Sequence, residues 1–222
     1  MDAPHQLALA NDLWVQALPT PTREAFIAAI RACTYRSGAE IFAQGDAAIA
    51  YYGILSGEVR FTKITADGRQ STLAQLGPGE WFGELSFLDD APRMHDAHSA
   101  GGSMLAVIAA RDMRRLLDQH DSLKEGLIKQ LARHTRQLYA AVDDLLLMTP
   151  DRLLAKRITE RMTGGATEIL MKQEDLAGLI GVSRQSMNRT LRLWEGKGLI
   201  RRAYGRIKVL NPDEIERIAN WR

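Results

Sequence analysis

Cysteine and long apolar runs are what this chain of 222 residues has least of. Its single cysteine, Cys33, excludes an intrachain disulfide and a four-cysteine metal cluster, and it fits a reducing compartment. No run of about 18 apolar residues is present that would span a membrane. The first residues, MDAPHQLALAND, lack a basic region followed by an apolar core, so they do not read as a signal peptide. We therefore expect a cytoplasmic protein that does not act at a membrane.

Positive charge is scarce in the first two thirds of the chain and concentrated in the last third. Residues 1–149 contain 14 Lys and Arg against 18 Asp and Glu, whereas residues 150–222 contain 15 against 9. The net charges of these parts are therefore −4 and +6. This uneven distribution predicts two domains, of which the second faces a polyanion.

The first part of the chain has the pattern of an antiparallel β domain. The stretches GAEIFAQGD, YYGILSGEVRFTKI and STLAQLGPGEWFGELSF are short apolar or alternating runs separated by glycine-containing turns. Several strands at this spacing predict a sandwich or small barrel. Residues 12–32 before them have a helical pattern, with Pro19 and Pro21 marking a turn. The fold class that we predict is α+β.

A long helix follows the β domain, over roughly residues 122–148. Apolar residues and one threonine recur along it at alternating intervals of three and four, as in the seam of a coiled coil: Ile128, Leu131, Thr135, Leu138, Val142 and Leu145. The seam predicts a homodimer, although a helix that lies on its own domain could carry the same pattern.

A break at MTPDR ends the long helix. Pro150 disfavours helical geometry at Thr149, and Thr149 as N-cap with Pro150 in the first turn starts a new helix. We therefore predict a β domain over residues 1–121, a dimerisation helix over 122–148 and a third region over 149–222.

The stretch QEDLAGLIGVSRQSMNRTLRLWEGKGLI has the pattern of a helix-turn-helix. Gly181 and Val182 supply a tight turn, and Ser183 can cap a second helix that would enter the major groove of double-stranded DNA. The early residues of that helix would reach base edges: Arg184, Gln185, Ser186, Asn188 and Arg189. Arginine suits guanine, and glutamine or asparagine suits adenine.

A basic hairpin follows the helix-turn-helix. LIRRAYGRIKVL predicts two short strands, and residues 182–208 contain eight Lys and Arg against the single acid Glu195. A solvated basic helix face is the alternative interpretation of this charge. We predict phosphate contacts from four residues of the hairpin: Arg201, Arg202, Arg206 and Lys208.

Taken together and in this order, these segments resemble the CRP/FNR superfamily of transcriptional regulators over about residues 12–211. RSGAEIFAQGD resembles the entry strands of its cyclic-nucleotide-binding barrel, and GPGEWFGELSFLDDAPR resembles its phosphate-binding cassette. The resemblance implies a jelly-roll barrel, a winged helix-turn-helix and a homodimeric transcription factor on an inverted-repeat DNA site. It also implies an effector pocket that gates DNA binding, and RNA polymerase as a partner.

The same resemblance implies the effector site. Glu84 matches the residue that takes a ribose hydroxyl in cyclic-AMP-binding members, and Arg93 matches the residue that pairs with the cyclic phosphate. The remaining candidate residues are Gly83, Leu85, Met94, Thr135 and Tyr139. A structural salt bridge between Glu84 and Arg93 is the alternative interpretation.

Two departures concern the ligand and one concerns DNA. Met94 stands where a serine or threonine would donate to the phosphate, and Leu138 stands where a polar residue would read adenine. We therefore expect a cyclic nucleotide or other small anionic effector, but not plain cyclic AMP. Gln185 replaces a glutamate found in many members, which leaves the preferred base open.

Other functions are less consistent with the sequence. His95, Asp96 and His98 lie close together but without a further histidine or cysteine, so we predict no metal site. No nucleophile–base pair or phosphate loop indicates an enzyme. An effector-binding module that acts by protein contact alone is the alternative function.

Overall fold

The computed structural model describes residues 12–64, 70–162, 167–169, 173–203 and 205–220. Contacts between residues divide the chain into two compact units, Met1–His134 and Thr135–Arg222. The long helix belongs to both units, because it begins in the first and ends in the second.

The first unit contains two antiparallel sheets of four strands. Its helices and strands are, in chain order, α1 (Leu13–Gln16), α2 (Thr20–Ala28), β1 (Arg31–Tyr35), β2 (Glu40–Phe42), β3 (Ala50–Ser56), β4 (Val59–Ile64), β5 (Gln70–Leu76), β6 (Trp81–Phe82), α3 (Glu84–Leu88), β7 (Asp96–Ser99), β8 (Ser103–Ala109), α4 (Ala110–Gln119) and α5 (Asp121–Leu147). The strand orders are β1-β8-β3-β6 and β2-β7-β4-β5. This is the double-sheet jelly roll that the resemblance implied.

The core of this unit is built around aromatic side chains. Trp81 stacks on Tyr51 with ring centroids 5.2 Å apart, and Trp14 from α1 and Phe26 from α2 complete the cluster. Gly53 makes the packing of Trp81 possible, because a Cβ at this position would come within 2.7 Å of the indole ring. The cluster fixes β6, and with it the start of the cassette, beside β3 in the sheet.

Among its described residues, the second unit contains the C-terminal part of α5, four further helices and a three-stranded sheet. Its remaining elements are α6 (Pro150–Thr159), β9 (Glu168–Ile169), α7 (Gln173–Leu179), α8 (Arg184–Gly196), β10 (Ile200–Ala203), β11 (Arg206–Val209) and α9 (Pro212–Asn220). The strand order is β10-β11-β9. Buried side chains of α6, α7 and α8 form its core, including Leu154, Ile158, Leu176, Met187 and Leu191.

The elements that the sequence predicted are mostly present, with three corrections. Residues 31 and 32 belong to strand β1, so the helical stretch ends before them. The stretch ending in GELSF is not all strand, since Glu84–Leu88 form α3 after the left-handed Gly83. β9 was not predicted, because two residues carry no periodic signal. The turn predicted at Asp67-Gly68 and the hairpin residue Tyr204 lie outside the described residues.

Candidate functional site

The cassette turns sharply at Gly83, between β6 and α3. Gly83 has a φ of +92°, a conformation that favours glycine, and it allows Glu84 to begin α3 facing inward. Glu84 is buried, and its carboxylate Oε1 lies 2.8 Å from His134 Nδ1. A carboxylate can only accept, so the proton of this bond is on Nδ1 of His134. The candidate ribose-binding residue is thus held by a side chain of α5.

Arg93 is also buried, and its guanidinium binds backbone carbonyls. It donates to Gly83 O at 2.8 Å and to Ala50 O at 2.6 Å, and it lies 4.4 Å from the centroid of the Phe42 ring. Its Nε has no hydrogen-bond partner within the described part of the chain. Burial lowers the pKa of Arg93, an effect opposed by the nearby Tyr52 and Glu84. An arginine side chain stays charged in water, which solvates it. Here backbone carbonyl dipoles and the face of an aromatic ring take the place of water around the guanidinium.

The alternative of a plain salt bridge does not describe this pair. In the part of the chain that the structure describes, no ion pair joins Arg93 to Glu84; Glu84 pairs with His134 instead. The two side chains interact only at a distance, through the electrostatic effect of Glu84 on Arg93. Each therefore keeps its own partners, and neither neutralises the other directly.

The other predicted effector residues are exposed. Leu85 on α3 is 53% exposed and Met94 is 58% exposed, and a thioether has no proton to donate. Thr135 and Tyr139 lie on the exposed part of α5 in the second unit. The structure brings Gly83, Glu84 and Arg93 together; the places of Thr135 and Tyr139 in an effector site stay predictions.

Two polar residues of α5 escaped the sequence analysis. Gln130 is almost completely buried, accepts from Tyr51 Oη at 2.7 Å and donates to Trp81 O at 3.3 Å. Burial raises the pKa of Tyr51 well above its usual value of 10.0, and the charge of Glu84 adds to this effect. Gln130 and His134 lie one turn apart and continue the buried positions of Leu123 and Leu127. These four positions form a second stripe on α5, in which two polar residues follow two apolar ones. The stripe is the sequence signal that could have revealed Gln130 and His134.

The helix-turn-helix has the predicted geometry. Gly181 adopts a φ of +68° in the turn, and Ser183 Oγ accepts from Ser186 N at 3.1 Å, which makes it the N-cap of α8. Met187, Leu191 and Trp194 are buried. The predicted base-reading residues lie on the opposite side of α8, where Arg184, Gln185 and Arg189 are exposed and Ser186 and Asn188 are partly exposed.

The four basic hairpin residues are not equivalent. Arg201 and Lys208 are exposed, and their Cα atoms are partners across the β10–β11 ladder. Arg206 pairs with Glu168 at 3.3 Å but keeps a 55% exposed side chain.

Arg202 has an internal partner, and its predicted phosphate contact stays a prediction. Its guanidinium binds Glu195 Oε2, with Nε at 2.8 Å, while its backbone N donates to Glu195 Oε1 at 2.9 Å. The single acid of the basic segment therefore ties β10 to the C-terminal end of α8, and Arg202 positions the hairpin.

The exposed seam lies along the second half of α5. Leu138 is 64% exposed, and Val142 and Leu145 are 40% and 53% exposed. Ile128, earlier on the helix, is 65% exposed. A run of large apolar side chains on one helix is the kind of surface that another helix covers.

No metal or membrane element emerges from the described ranges. Within them, no group of three or more His, Cys, Asp or Glu side chains is placed to hold a metal ion. None of the helices found there combines the length and the apolar character that crossing a membrane requires.

Comparisons with known families match both units. The model of the cyclic nucleotide-binding domain matches residues 32–120, and the model of the Crp-like helix-turn-helix domain matches residues 144–218. The cyclic AMP receptor protein of Thermus thermophilus is 31% identical over 83% of this chain and 86% of its own length. The CRP-like cAMP-activated global transcriptional regulator of Mycobacterium tuberculosis is 29% identical over 82% and 85%.

Solved structures agree with this similarity. The catabolite activator protein of Thermus thermophilus has a TM-score of 0.54 and 28% identity, over 93% of this chain and 97% of its own. The c-di-GMP responsive global regulator CLP of Xanthomonas campestris has a TM-score of 0.75 over 86% of this chain and 99% of its own. Its 20% identity supports the shared fold.

Proposed function

The chain belongs to the CRP/FNR family of DNA-binding transcriptional regulators, a family of regulators and not of enzymes, and on this premise we propose that it acts as a homodimer gated by a small anionic effector. We assign residues 1–121 to effector binding, 122–148 to dimerisation and 149–222 to DNA binding. RNA polymerase is the further partner that such a regulator would contact, in the compartment that holds the DNA.

The exposed face of α8 carries the DNA-binding part of this proposal. A side-chain cap fixes the start of the helix, three buried residues fix its rotation, and Arg184, Gln185 and Arg189 are left facing solvent. A helix held in this way can enter the major groove with its first turns against the base edges. We infer that Arg184 binds a guanine and that Gln185 favours adenine.

Phosphate binding falls mainly to the exposed cations of the hairpin. Arg201 and Lys208 lie on neighbouring strands and are exposed, and Arg206 pairs with Glu168 but keeps a 55% exposed side chain. These contacts would add affinity for any sequence and make binding dependent on salt. Arg202 stays a proposed phosphate contact beside them, and Glu195 binds it at two points.

The homodimer is supported by the seam of α5. Its apolar residues would be costly to leave in water, at about 25 cal/mol for each Å² exposed. A two-fold dimer would present two copies of α8, so the DNA site would be an inverted repeat with half-sites about one helical turn apart.

The effector proposal rests on two buried charged side chains that, among the described residues, are not paired with each other. Arg93 is buried with an unpartnered Nε, and Glu84 is buried with one donor. An arginine in such a setting suits a phosphate, and a carboxylate suits a hydroxyl. Relatives named for cyclic AMP and a structure named for c-di-GMP show that ligands differ between similar proteins. We infer a ligand other than plain cyclic AMP, because exposed Met94 offers no donor and Leu138 cannot read adenine.

Selection of bound sequences from a random DNA pool, followed by salt-dependent gel shifts, tests the DNA-binding proposal. Arg184→Ala should cost about 1–3 kcal/mol at one base pair and relax specificity there. Arg201→Ala should weaken all sequences alike and reduce the salt slope by about one. A wild-type protein that binds no DNA would favour the alternative, an effector module that acts by protein contact. Equal losses on all sequences with both variants would exclude base reading by Arg184.

Calorimetry with cyclic AMP, cyclic GMP and cyclic di-GMP tests the effector proposal. We expect Arg93→Ala to abolish binding of whichever nucleotide binds while leaving the dimer intact. Micromolar binding of cyclic AMP by the wild type would show that Met94 and Leu138 do not exclude it. Binding that survives Arg93→Ala would place the site elsewhere.

A further inference from the structure

The C-terminal end of α5 is fastened to α6 by ion pairs around Asp144. Lys156 Nζ donates to Asp144 Oδ1 at 2.6 Å, and a guanidinium nitrogen of Arg157 lies 3.6 Å from Asp144 Oδ2. Arg157 also pairs with Glu160 at 2.9 Å. The Asp144 side chain is only 12% exposed. Solvent therefore screens this cluster less than it screens an ordinary surface pair.

The turn between the two helices is short and held by backbone hydrogen bonds. Met148 N donates to Asp144 O, and Leu153 N donates to Thr149 O, both at 2.9 Å. Pro150 in the first turn of α6 restricts the backbone further. Met148 packs against the core of the second unit. The corner is thus closed both by its backbone and by the side chains around Asp144.

Beyond this corner, α6 is fixed to the recognition helix α8. Leu154 and Ile158 share one core with Met187 and Leu191 of α8. At the surface, Thr190 Oγ1 of α8 donates to Asp151 Oδ1 of α6 at 3.2 Å. A continuous set of contacts therefore runs from the last turns of α5, through α6, to the helix proposed to read DNA.

We propose that Asp144 is a positioning residue that sets how strictly this protein reads the spacing between its two half-sites. The inference rests on the proposed function, because it requires two copies of the chain on an inverted repeat. A rigid dimer accepts half-sites at one separation, since an added base pair both displaces and rotates one site relative to the other. The contacts that join the dimer helix α5 to α6 decide how far each DNA-binding region can move to reach a displaced half-site. Asp144 closes that joint.

The neighbouring residue offers a matched control. Asp143 is exposed and has no hydrogen bond or ion pair among the described residues, whereas Asp144 has two basic partners. Asp143→Ala and Asp144→Ala make the same change in net charge and in helix propensity, on the same turn of the same helix. Only Asp144→Ala also removes the ion pairs that join α5 to α6. Lys156→Met approaches the same contact from the other side and keeps an apolar stem in place.

The test measures affinity against spacer length, with the full chain and a site selected by the wild type. Selection and binding are run with ligand-free protein and with 1 mM cyclic AMP or cyclic di-GMP. For the wild type and Asp143→Ala we expect one strongly preferred spacing. One added or removed base pair lowers the affinity of the wild type, and we expect this loss of affinity to be about tenfold smaller in Asp144→Ala and Lys156→Met. A factor of about ten corresponds to the loss of one hydrogen bond to a charged group. A uniform loss of affinity with unchanged spacing preference would overturn the inference.

A second measurement needs no DNA. Amide hydrogen exchange should become faster over residues 144–153 in Asp144→Ala than in Asp143→Ala, while exchange in strands β3 and β8 stays unchanged. Equal exchange in the two variants would overturn the inference even if both fold well. If the wild type selects no inverted repeat under any condition, the proposed function fails. If the wild type selects an inverted repeat but Asp144→Ala keeps the same spacing preference, only the inference about Asp144 fails.

Discussion

The two halves of α5 belong to one continuous helix but are covered in different ways. In the first half, Leu123, Leu127 and Gln130 are buried against the jelly roll, and His134 reaches Glu84. In the second half, Leu138 and Leu145 are more than half exposed. The first half therefore owes its position to contacts within the chain. The second half has an exposed apolar seam, and this difference separates the part of the helix that we propose to respond to the effector from the part that we propose to form the dimer.

The largest effect is expected in the second half. Leu138→Asp combined with Val142→Asp should abolish dimerisation, because two carboxylates would have to be desolvated in the seam. Light scattering would measure the change. Leu146→Asp is the control, since Leu146 is 76% exposed but lies off the seam. A double variant that remains dimeric would show that the seam does not form the interface.

A smaller effect is expected in the first half. Gln130→Leu leaves Tyr51 Oη and Trp81 O without their partner, at about 1–3 kcal/mol for each buried group that stays unsatisfied. Urea unfolding, with hydrogen exchange to locate the change in β3 and α5, would measure it. The dimer should persist in this variant. If Gln130→Leu abolished the dimer without lowering the free energy of unfolding, the first half of α5 would be needed for dimerisation, which contradicts the roles that we give to the two halves of the helix.

The link between Glu84 and α5 should contribute less. His134→Leu removes the hydrogen-bond partner of the buried Glu84 carboxylate, whereas His134→Asn places an amide nitrogen near the position of Nδ1. We expect Leu to cost about 1.5 kcal/mol, the lower end for hydrogen bonds to charged groups, and Asn to restore most of it. The unfolding free energies of both variants measure this. Equal losses in the two variants would mean that ring packing matters and the hydrogen bond does not.

The smallest effect concerns alkaline pH. The pKa of Tyr51 is raised in the folded state by burial, so the folded chain keeps a proton that the unfolded chain loses above about 10.0. The contribution of Tyr51 is fully present below that pH and is lost as the pH rises from there through the raised pKa of the folded state. Between pH 9 and 11, the stability of the wild type should therefore fall more steeply than that of Tyr51→Phe. Parallel curves would contradict a raised pKa.

The sequence predicted the elements whose signals are local or periodic. Ser183, Met187, Leu191 and Trp194 define a capped amphipathic helix by their spacing alone, and the structure confirms each of these roles. Thr149 and Pro150 were likewise predicted at the start of α6, and the structure places them there, although without a hydrogen bond from the Thr149 side chain. These features depend on neighbours within one or two turns.

The features that the sequence missed depend on residues far apart in the chain. Nothing near His134 reveals that Glu84, fifty positions earlier, would bind it. The pairing of Arg202 with Glu195 is closer in sequence, but a charge count treats a paired arginine and a free one alike. Long-range partners are set by how the sheets and helices pack, and single-sequence patterns do not carry that information.

The stoichiometry of the protein on its selected DNA site tests the central claim most directly. Native mass spectrometry of the complex with an inverted repeat, and with the same DNA carrying one half-site, would count the chains bound. A homodimeric regulator predicts two chains on the inverted repeat, with a steep loss of binding as salt rises and a much weaker complex on the single half-site. One chain on each DNA, with equal affinity for both, would contradict the account.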